Sequence, residues 1–304
     1  MELRCTAERE THLLSILRRE LQLSSTLVRR LKSCGAYTVN GEPAHTDRLV
    51  RPGDVVRVCL DEPRPDYPAE DGPLSILYED EAMLAVDKPQ GMLVHPSFSR
   101  QTGTLANRLL GYYDRTGQAC AVHPVSRLDR DTFGVVLLAK NAHAHALLIA
   151  AEKHKTYHAA VRGVPQPPEG MIDVPIARLS PESLLRCVRA DGQPARSAYR
   201  TLRTEHGISL LELQPLTGRT HQLRLHCKMA GVPILGDPQY ASPASMLFSC
   251  ARGLFTQQLC AAKLELPHPV TGQPLIISTR KAVSTGDEQL HFDLCISQRD
   301  TRVV

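Results

Sequence analysis

Apolar residues along the chain fall into runs of two periods. Near the N-terminus they recur at helical spacing, first in "LLSILRREL" and then in "SSTLVRRLKSCG". In the second run Val28 and Leu31 share a face, Ser24 or Ser25 can cap the helix, and Gly35 stops it. Alternation at period two follows. "YTVNGEP" predicts a strand running into an Asn40–Gly41 hairpin turn, and "VRPGDVVRV" a Pro52–Gly53 turn leading into another strand. From residue 74 strands predominate. "SILYED" and "MLAVDKP" are hinged at Glu79–Asp80, "GVVLLAK" fits a strand buried on both faces, and "KTYHAAVRG", "SAYRTLRTE" and "ISLLELQP" alternate. Asn141 is placed to cap an amphipathic helix over "AHAHALLIAAEKH". "TGRTHQLRLHCKMAG" predicts a loop entering a helix, with Thr217 or Thr220 as cap and Gly231 as stop. Strand–helix–strand alternations are few, so the expected fold class is α+β, with a mixed, largely antiparallel sheet.

The stretch "EPRPDYPAEDGP" (62–73) holds four prolines and predicts a semi-extended linker. It divides a small N-terminal α/β unit (1–61) from a larger one (74–283), after which a weakly periodic tail (284–304) remains. No stretch of eighteen uninterrupted apolar residues occurs, so no membrane contact is expected. The opening "MELRCTAERETHLL" lacks the apolar core of a signal peptide. Nine cysteines without a C-x-x-C pair fit neither a disulfide framework nor a zinc site, and a cytoplasmic protein with reduced thiols is expected. His154 and His158 are four apart but straddle a predicted change from helix to strand, which disfavours a metal pair. A formal net charge of +4 permits a polyanionic partner without requiring one. Walker, dinucleotide and nucleophile-elbow patterns are missing, so no cofactor, and in particular no metal, is expected.

Three segments concentrate reactive side chains. In "SRLDRDTFG", Asp129 follows Leu128 shortly before the buried run; a carboxylate there needs a cation partner or its pKa rises. Arg130 and Asp131 are expected to be structural. "TGRTHQLRLH" gathers Arg219, His221, Arg224 and His226 where a loop enters a helix, and helix amide donors with their positive potential suit phosphate. "KTYHAAVRG" puts Tyr157 on the face of Ala159 and Val161, fitting either a core tyrosine or a phenol that stacks on a base or handles a proton. Taken singly, each segment is compatible with a solvated loop, a basic helix face or core.

Taken in order, they are not. "LAVDKPQGMLVHP", "GTLANRLL", "RLDRDTFGVVLLAKN", "KTYHAAVRG", "LTGRTHQLRLHCKMAGVPILGDPQY" and "LELPHPVTG" together resemble the RluA-type family of RNA pseudouridine synthases, from roughly residue 75 to 280. The portions "LSSTLVRRLKSCGAYTVNG" and "VRPGDVV" resemble the ribosomal S-four-type RNA-binding domain, whose basic helix and following hairpin form one RNA surface. The resemblance implies isomerisation of uridine to pseudouridine in structured RNA. Large-subunit ribosomal RNA is the favoured partner, transfer RNA the alternative, and no obligate protein partner is implied. It assigns Asp129 as the catalytic aspartate, acting as nucleophile or in removing a ribose proton, and Arg224 as the arginine paired with it. Tyr157 is implied to stack on the target uracil and relay a proton, and Arg127 to stand near the flipped-out nucleotide. Lys88, Arg219 and His221 are implied as RNA-backbone or site-wall contacts, and Arg29, Arg30 and Lys32 as RNA contacts of the small domain.

Three positions depart from the family pattern: Ser126 for the histidine before "RLD", Phe133 for the serine after "DT", and Cys260 within "LCA" for histidine. Ser126 is expected to weaken RNA positioning or alter which nucleotide is accepted. Phe133 is expected to tighten the start of the strand or change how RNA approaches. The competing reading is a catalytically weak or inactive RNA-binding protein on the same fold, acting in ribosome assembly.

Overall fold

The computed structural model describes residues 2–33, 35–60 and 64–286. In the small unit, strand Val55–Cys59 lies between Glu2–Thr6 and Tyr37–Val39, antiparallel to both, and Glu42–Pro43 closes the sheet. Asn40 (φ 55°) and Gly41 (φ 87°) both occupy the left-handed region that a two-residue hairpin turn demands. Helix Ser25–Ser33 is capped by Ser24, whose hydroxyl accepts from the Leu27 N–H at 3.1 Å. Leu27, Val28 and Leu31 of that helix share a core with Leu13, Ile16, Leu17, Val56 and Val58. "LLSILRREL" is not one regular helix. A single α turn at Leu13–Ser15 widens into a π turn at Ile16–Glu20, and Gln22 (φ 52°) then swings Leu23 into the core.

The larger unit is built on one sheet. Its longer strands are β1 (Ile76–Glu79), β2 (Met83–Lys88), β3 (Phe133–Ala139), β4 (His154–Arg162), β5 (Glu169–Asp173), β6 (Arg196–Glu205), β7 (Ile208–Pro215), β8 (Leu259–Pro267) and β9 (Pro274–Ser278), and the short strand His123–Pro124 pairs with β3. They run in the order β5-β6-β7-β4-β8-β3-β2-β1, with β9 added on β8. Among these strands only β3 and β8 are parallel neighbours, so the sheet is mixed and mostly antiparallel, as expected. Helices α1 (Leu105–Thr116), α2 (Ala142–Ala150) and α3 (Gln222–Met229) pack on it. Val136 and Leu138 of β3 meet α1, while Val135, Leu137 and Ala139 on the opposite face meet α2. Covered on both sides, β3 cannot alternate apolar with polar, which is why "GVVLLA" is apolar throughout.

Two helix boundaries differ from the sequence pattern. Asn141 caps α2 by accepting from the Ala144 N–H at 2.8 Å, but the helix stops at Ala150 and His154 already opens β4. His154 and His158 therefore lie on one strand rather than across a structural change. At α3 neither threonine is the cap: His221 holds that position with φ 58°, and Thr217 Oγ1 instead lies 2.8 Å from Gln222 Oε1. Gly231 (φ 76°) follows the helix end, as its sequence position predicts.

Residues 64–73 have no helix or strand, yet they do not run free of the larger unit. The Asn107 side-chain amide on α1 donates to Pro68 O at 2.8 Å, and the Glu70 N–H donates to Asn107 O at 2.9 Å. A Cβ at Gly111 would collide with Glu70 O, so glycine is what lets this strap lie against the helix. Residues 62 and 63 of the expected linker, and 287–304 of the expected tail, fall outside the described residues. Among the described residues no helix is long and apolar enough to cross a membrane.

Candidate active site

The parallel pairing of β3 with β8 sets Phe133 beside Cys260 and Gly134 beside Ala261. Ala261 in turn pairs with Tyr157 on β4, next to a register shift between Thr156 and Tyr157. Gly134 has φ 103°, and a Cβ there would collide with the backbone oxygen of Ala261. Glycine is thus dictated at the point where the loop carrying Asp129 joins the sheet. That loop is pinned by buried Leu128, by Thr132 N–H donating to Asp129 O at 3.2 Å, and by Gln257 Nε2 donating to the Thr132 hydroxyl at 3.1 Å. Arg130 and Asp131 pair with each other at 3.0 Å, consistent with structural roles.

Of the two expectations for Lys88, an RNA-backbone contact or a place in the site wall, its enclosure fits the second. Its side chain is fully enclosed, and its ammonium donates to the carbonyls of Pro89, Met92 and Arg130 at 2.8–2.9 Å. Lys88 ties the end of β2 to the Asp129 loop from inside. Burial pushes its pKa down to about 8, against the pull of the Asp131 and Asp129 carboxylates.

Asp129 itself is a quarter exposed. Arg224, buried on α3, donates through Nη1 to Asp129 Oδ2 at 3.1 Å. The rest of the guanidinium is held from behind. Nε and Nη2 each donate at 2.8 Å to one oxygen of Asp237, Nη2 also reaches Gln239 Oε1 at 2.8 Å, and the Tyr240 ring lies 5.0 Å from Cζ. Burial works against the charge on Arg224, but Asp237 and Asp129 more than offset it and hold its pKa above the ordinary arginine value. His221 Nε2 lies 3.9 Å from the same Asp129 Oδ2, and its Nδ1 lies 2.7 Å from the Tyr240 hydroxyl. Asp129 Oδ1 has no partner among the described residues. One carboxylate oxygen is clamped and the other is open.

Tyr157 is half-buried and bridges two clusters, touching the one that contains Leu128 and Ala261 and the one that contains Leu213 and Leu223. Burial, reinforced by the Asp129 charge, pushes its phenol well above the ordinary value, so it is neutral at neutral pH. Arg127 is exposed on the same loop as Asp129. Arg219 does not touch Asp129; it lines a neighbouring cleft of about 350 Å³ together with Arg178, Arg186 and Thr220. On the small unit, Arg29 and Lys32 join Arg18 and Val28 around a groove of about 310 Å³, whereas Arg30 is half-buried and outside its lining.

Sequence reasoning passed over Asp237, Gln239, Tyr240, Arg178 and Arg186. The signal for the first three was an aspartate in "GDPQY" directly after the apolar "VPIL", a carboxylate heading into a core with no cation near it in sequence. The structure also relates two of the departures from the family pattern. Phe133 and Cys260 are neighbours in the β3–β8 register and share one cluster with Leu235 and Leu254. A larger side chain at one position and a smaller one at the other fill a common space. Phe133 is 6 % exposed, packed within that cluster at the start of β3.

Comparison with known proteins identifies the family. A family model described as RNA pseudouridylate synthase matches residues 82–229. The uncharacterized RNA pseudouridine synthase YlyB of Bacillus subtilis is 37 % identical over 258 residues, spanning 82 % of this chain and 83 % of its own. Ribosomal large subunit pseudouridine synthase D of Xanthomonas campestris is 35 % identical over 253 residues, spanning 79 % of this chain and 76 % of its own. Among solved structures, human RNA pseudouridylate synthase domain containing 1 superposes with a TM-score of 0.57 at 25 % identity, covering 70 % of this chain and 86 % of that one. An aspartate with one oxygen clamped by a buried arginine, on the loop that leads into a central strand of a mixed sheet, thus stands in a chain that belongs to the RNA pseudouridine synthase family, isomerases acting on uridine in RNA.

Proposed function

We propose that this chain converts specific uridines to pseudouridine in large-subunit ribosomal RNA, with Asp129 as the reacting carboxylate. The observation that carries the reading is the asymmetry of that carboxylate: Oδ2 is held by Arg224, Oδ1 has no partner among the described residues, and the Asp129 charge is felt at the Tyr157 phenol. In the isomerisation the bond from base nitrogen to ribose breaks, a bond from the base's five-position carbon to ribose forms, the proton of that carbon leaves to solvent, and the freed base nitrogen takes up one proton in its place. No electrons are gained or lost, so the reaction calls for no redox partner. Asp129 Oδ1 serves at the anomeric carbon as nucleophile, or takes a ribose proton. Tyr157, a neutral phenol, offers its ring to the uracil face. Arg127 occupies the space that the flipped-out nucleotide leaves in the RNA stack, a flip that costs a few kcal/mol and less in an open loop.

Phosphate contacts follow the cleft of Arg178, Arg186 and Arg219, whose guanidinium groups make no carboxylate pairs among the described residues. The small unit acts as an S-four-type RNA-binding domain, with Arg18, Arg29 and Lys32 around its groove and Arg30 on the same helix. Its division from the catalytic domain falls within 62–73. The name of the Xanthomonas relative favours large-subunit ribosomal RNA, and a cytoplasmic location goes with that substrate.

Release of tritium from five-position-labelled uridine tests the proposal, with ribosomal and transfer RNA as parallel substrates and Asp129→Asn beside the native protein. Release from ribosomal RNA by the native protein alone is expected. Release from transfer RNA only would overturn the substrate assignment, and full activity of Asp129→Asn would overturn the role of Asp129.

A further inference from the structure

We propose that Tyr240 and His221 form a positioning pair for Asp129, in which the tyrosine fixes the imidazole as its Nε2–H tautomer and that N–H faces the clamped carboxylate oxygen. The inference rests on the reading of Asp129 as the reacting group. It begins with the proton inventory of Tyr240. The tyrosine hydroxyl accepts the Arg186 N–H at 2.9 Å and lies 2.7 Å from His221 Nδ1. Burial keeps this phenol protonated, and His221 Nδ1 stands within reach of its single proton.

The groups facing His221 are Asp129 and Asp237, which favour the charged ring, and Arg224 and Arg186, which oppose it; burial is the largest influence and holds the pKa below the ordinary value. A neutral ring carries one N–H. With Nδ1 accepting from Tyr240, that N–H is on Nε2, 3.9 Å from Asp129 Oδ2. The separation exceeds a hydrogen bond, so in the free protein the N–H acts as an oriented dipole. A shift of about 1 Å would bring it to bonding distance.

The backbone supports this assignment. His221 sits at the N-cap of α3 with φ 58°, a left-handed conformation that is strained for a residue with a Cβ, yet its side chain makes no cap bond. The ring serves Tyr240 and Asp129 rather than the helix amides. Arg224 and His221 both address Oδ2, so the pair reinforces the choice of Oδ1 as the reacting oxygen. Because the Tyr240 anchor is the backbone of Arg186, whose side chain lines the basic cleft, the clamp is fastened to a wall of that cleft.

Two measurements test the proposal. In the full chain labelled with ¹⁵N-histidine, His221→Gln identifies the His221 signal among the thirteen histidines. The expected result is a neutral Nε2–H ring between pH 6.5 and 8, and a mixture of tautomers in Tyr240→Phe. A neutral Nδ1–H ring would overturn the proposal, and no RNA is needed to see it. In the tritium assay, Tyr240→Phe and His221→Phe should each lower kcat roughly 10- to 100-fold at little-changed KM, the loss expected for a hydrogen bond to a charged group that forms only when the ring closes the last ~1 Å on the RNA-bound enzyme. The double variant should be no worse than the poorer single one, and His221→Gln, which can present an amide N–H near the same place, should recover most of the loss. Unchanged kcat in both variants, multiplicative losses, or Gln as damaging as Phe would overturn it. Inactivity of the native protein on ribosomal RNA would instead overturn the proposed substrate, and the tautomer measurement would still decide the pair.

Discussion

Replacing Asp237 with alanine is expected to be among the most damaging single changes available in this fold, although the residue does not touch Asp129. Its carboxylate is fully enclosed and accepts two bonds from Arg224 at 2.8 Å, together with the backbone N–H groups of Gln239 and Tyr240 at 3.0 and 3.2 Å. Alanine would leave the buried guanidinium with only Asp129 and Gln239 as partners. Breaking a buried ion pair from one side costs about 3–5 kcal/mol, because the surviving charge stays desolvated. For a domain of this size each kcal/mol lowers Tm by about 2–4 °C, so the expected fall is about 6–20 °C by calorimetry. At temperatures where the variant is still folded, kcat should also drop, since Arg224 is no longer braced against Asp129. Arg224→Met with Asp237→Leu, which removes both charges, should recover most of the stability and none of the activity. A Tm for Asp237→Ala within about 1 °C of the native value would refute the reasoning, because such a charge cannot be stranded at no cost.

Two further outcomes follow from the packing around the same loop. Lys88 has a pKa of about 8 in the folded chain against 10.5 in its ordinary state, so between those values the unfolded chain binds more protons and stability rises with pH. Urea titrations at pH 7.5 and 10.5 should show the native protein gaining up to about 3 kcal/mol relative to Lys88→Met across that window; a constant difference would mean that Lys88 is not desolvated. Phe133 and Cys260 share one space, so Phe133→Ser alone should cost about 3–5 kcal/mol through the cavity it leaves. Cys260→His alone should overpack, at about 1–3 kcal/mol, and the double variant should cost less than the sum by at least about 1 kcal/mol. Additive losses in denaturant titrations would show the two departures to be independent.

What could be read from the chain alone was what a residue settles with its immediate neighbours or by its place in an ordered set of motifs. The left-handed turn at Asn40–Gly41, the cap at Asn141 and the doubly covered β3 depend on side chains and backbone within a few residues, and each stands where the pattern placed it. The facing of Asp129 and Arg224 was legible because both lie in motifs whose order the family keeps. The tertiary structure alone decided the surroundings of each charge. Lys88 could be expected at the RNA backbone or in the site wall, and it is walled in by carbonyls from Pro89, Met92 and Arg130, the last 42 residues away. His221 belonged, by its sequence, to a basic loop, and became the ring between Tyr240 and Asp129. Asp237 carried no local sign of the arginine it braces, which reaches 95 residues back along the chain to Asp129. Backbone preference is a short-range property and can be read in order along a sequence. Desolvation and charge pairing depend on which distant segments the folded sheet brings together, and they set what each side chain can do.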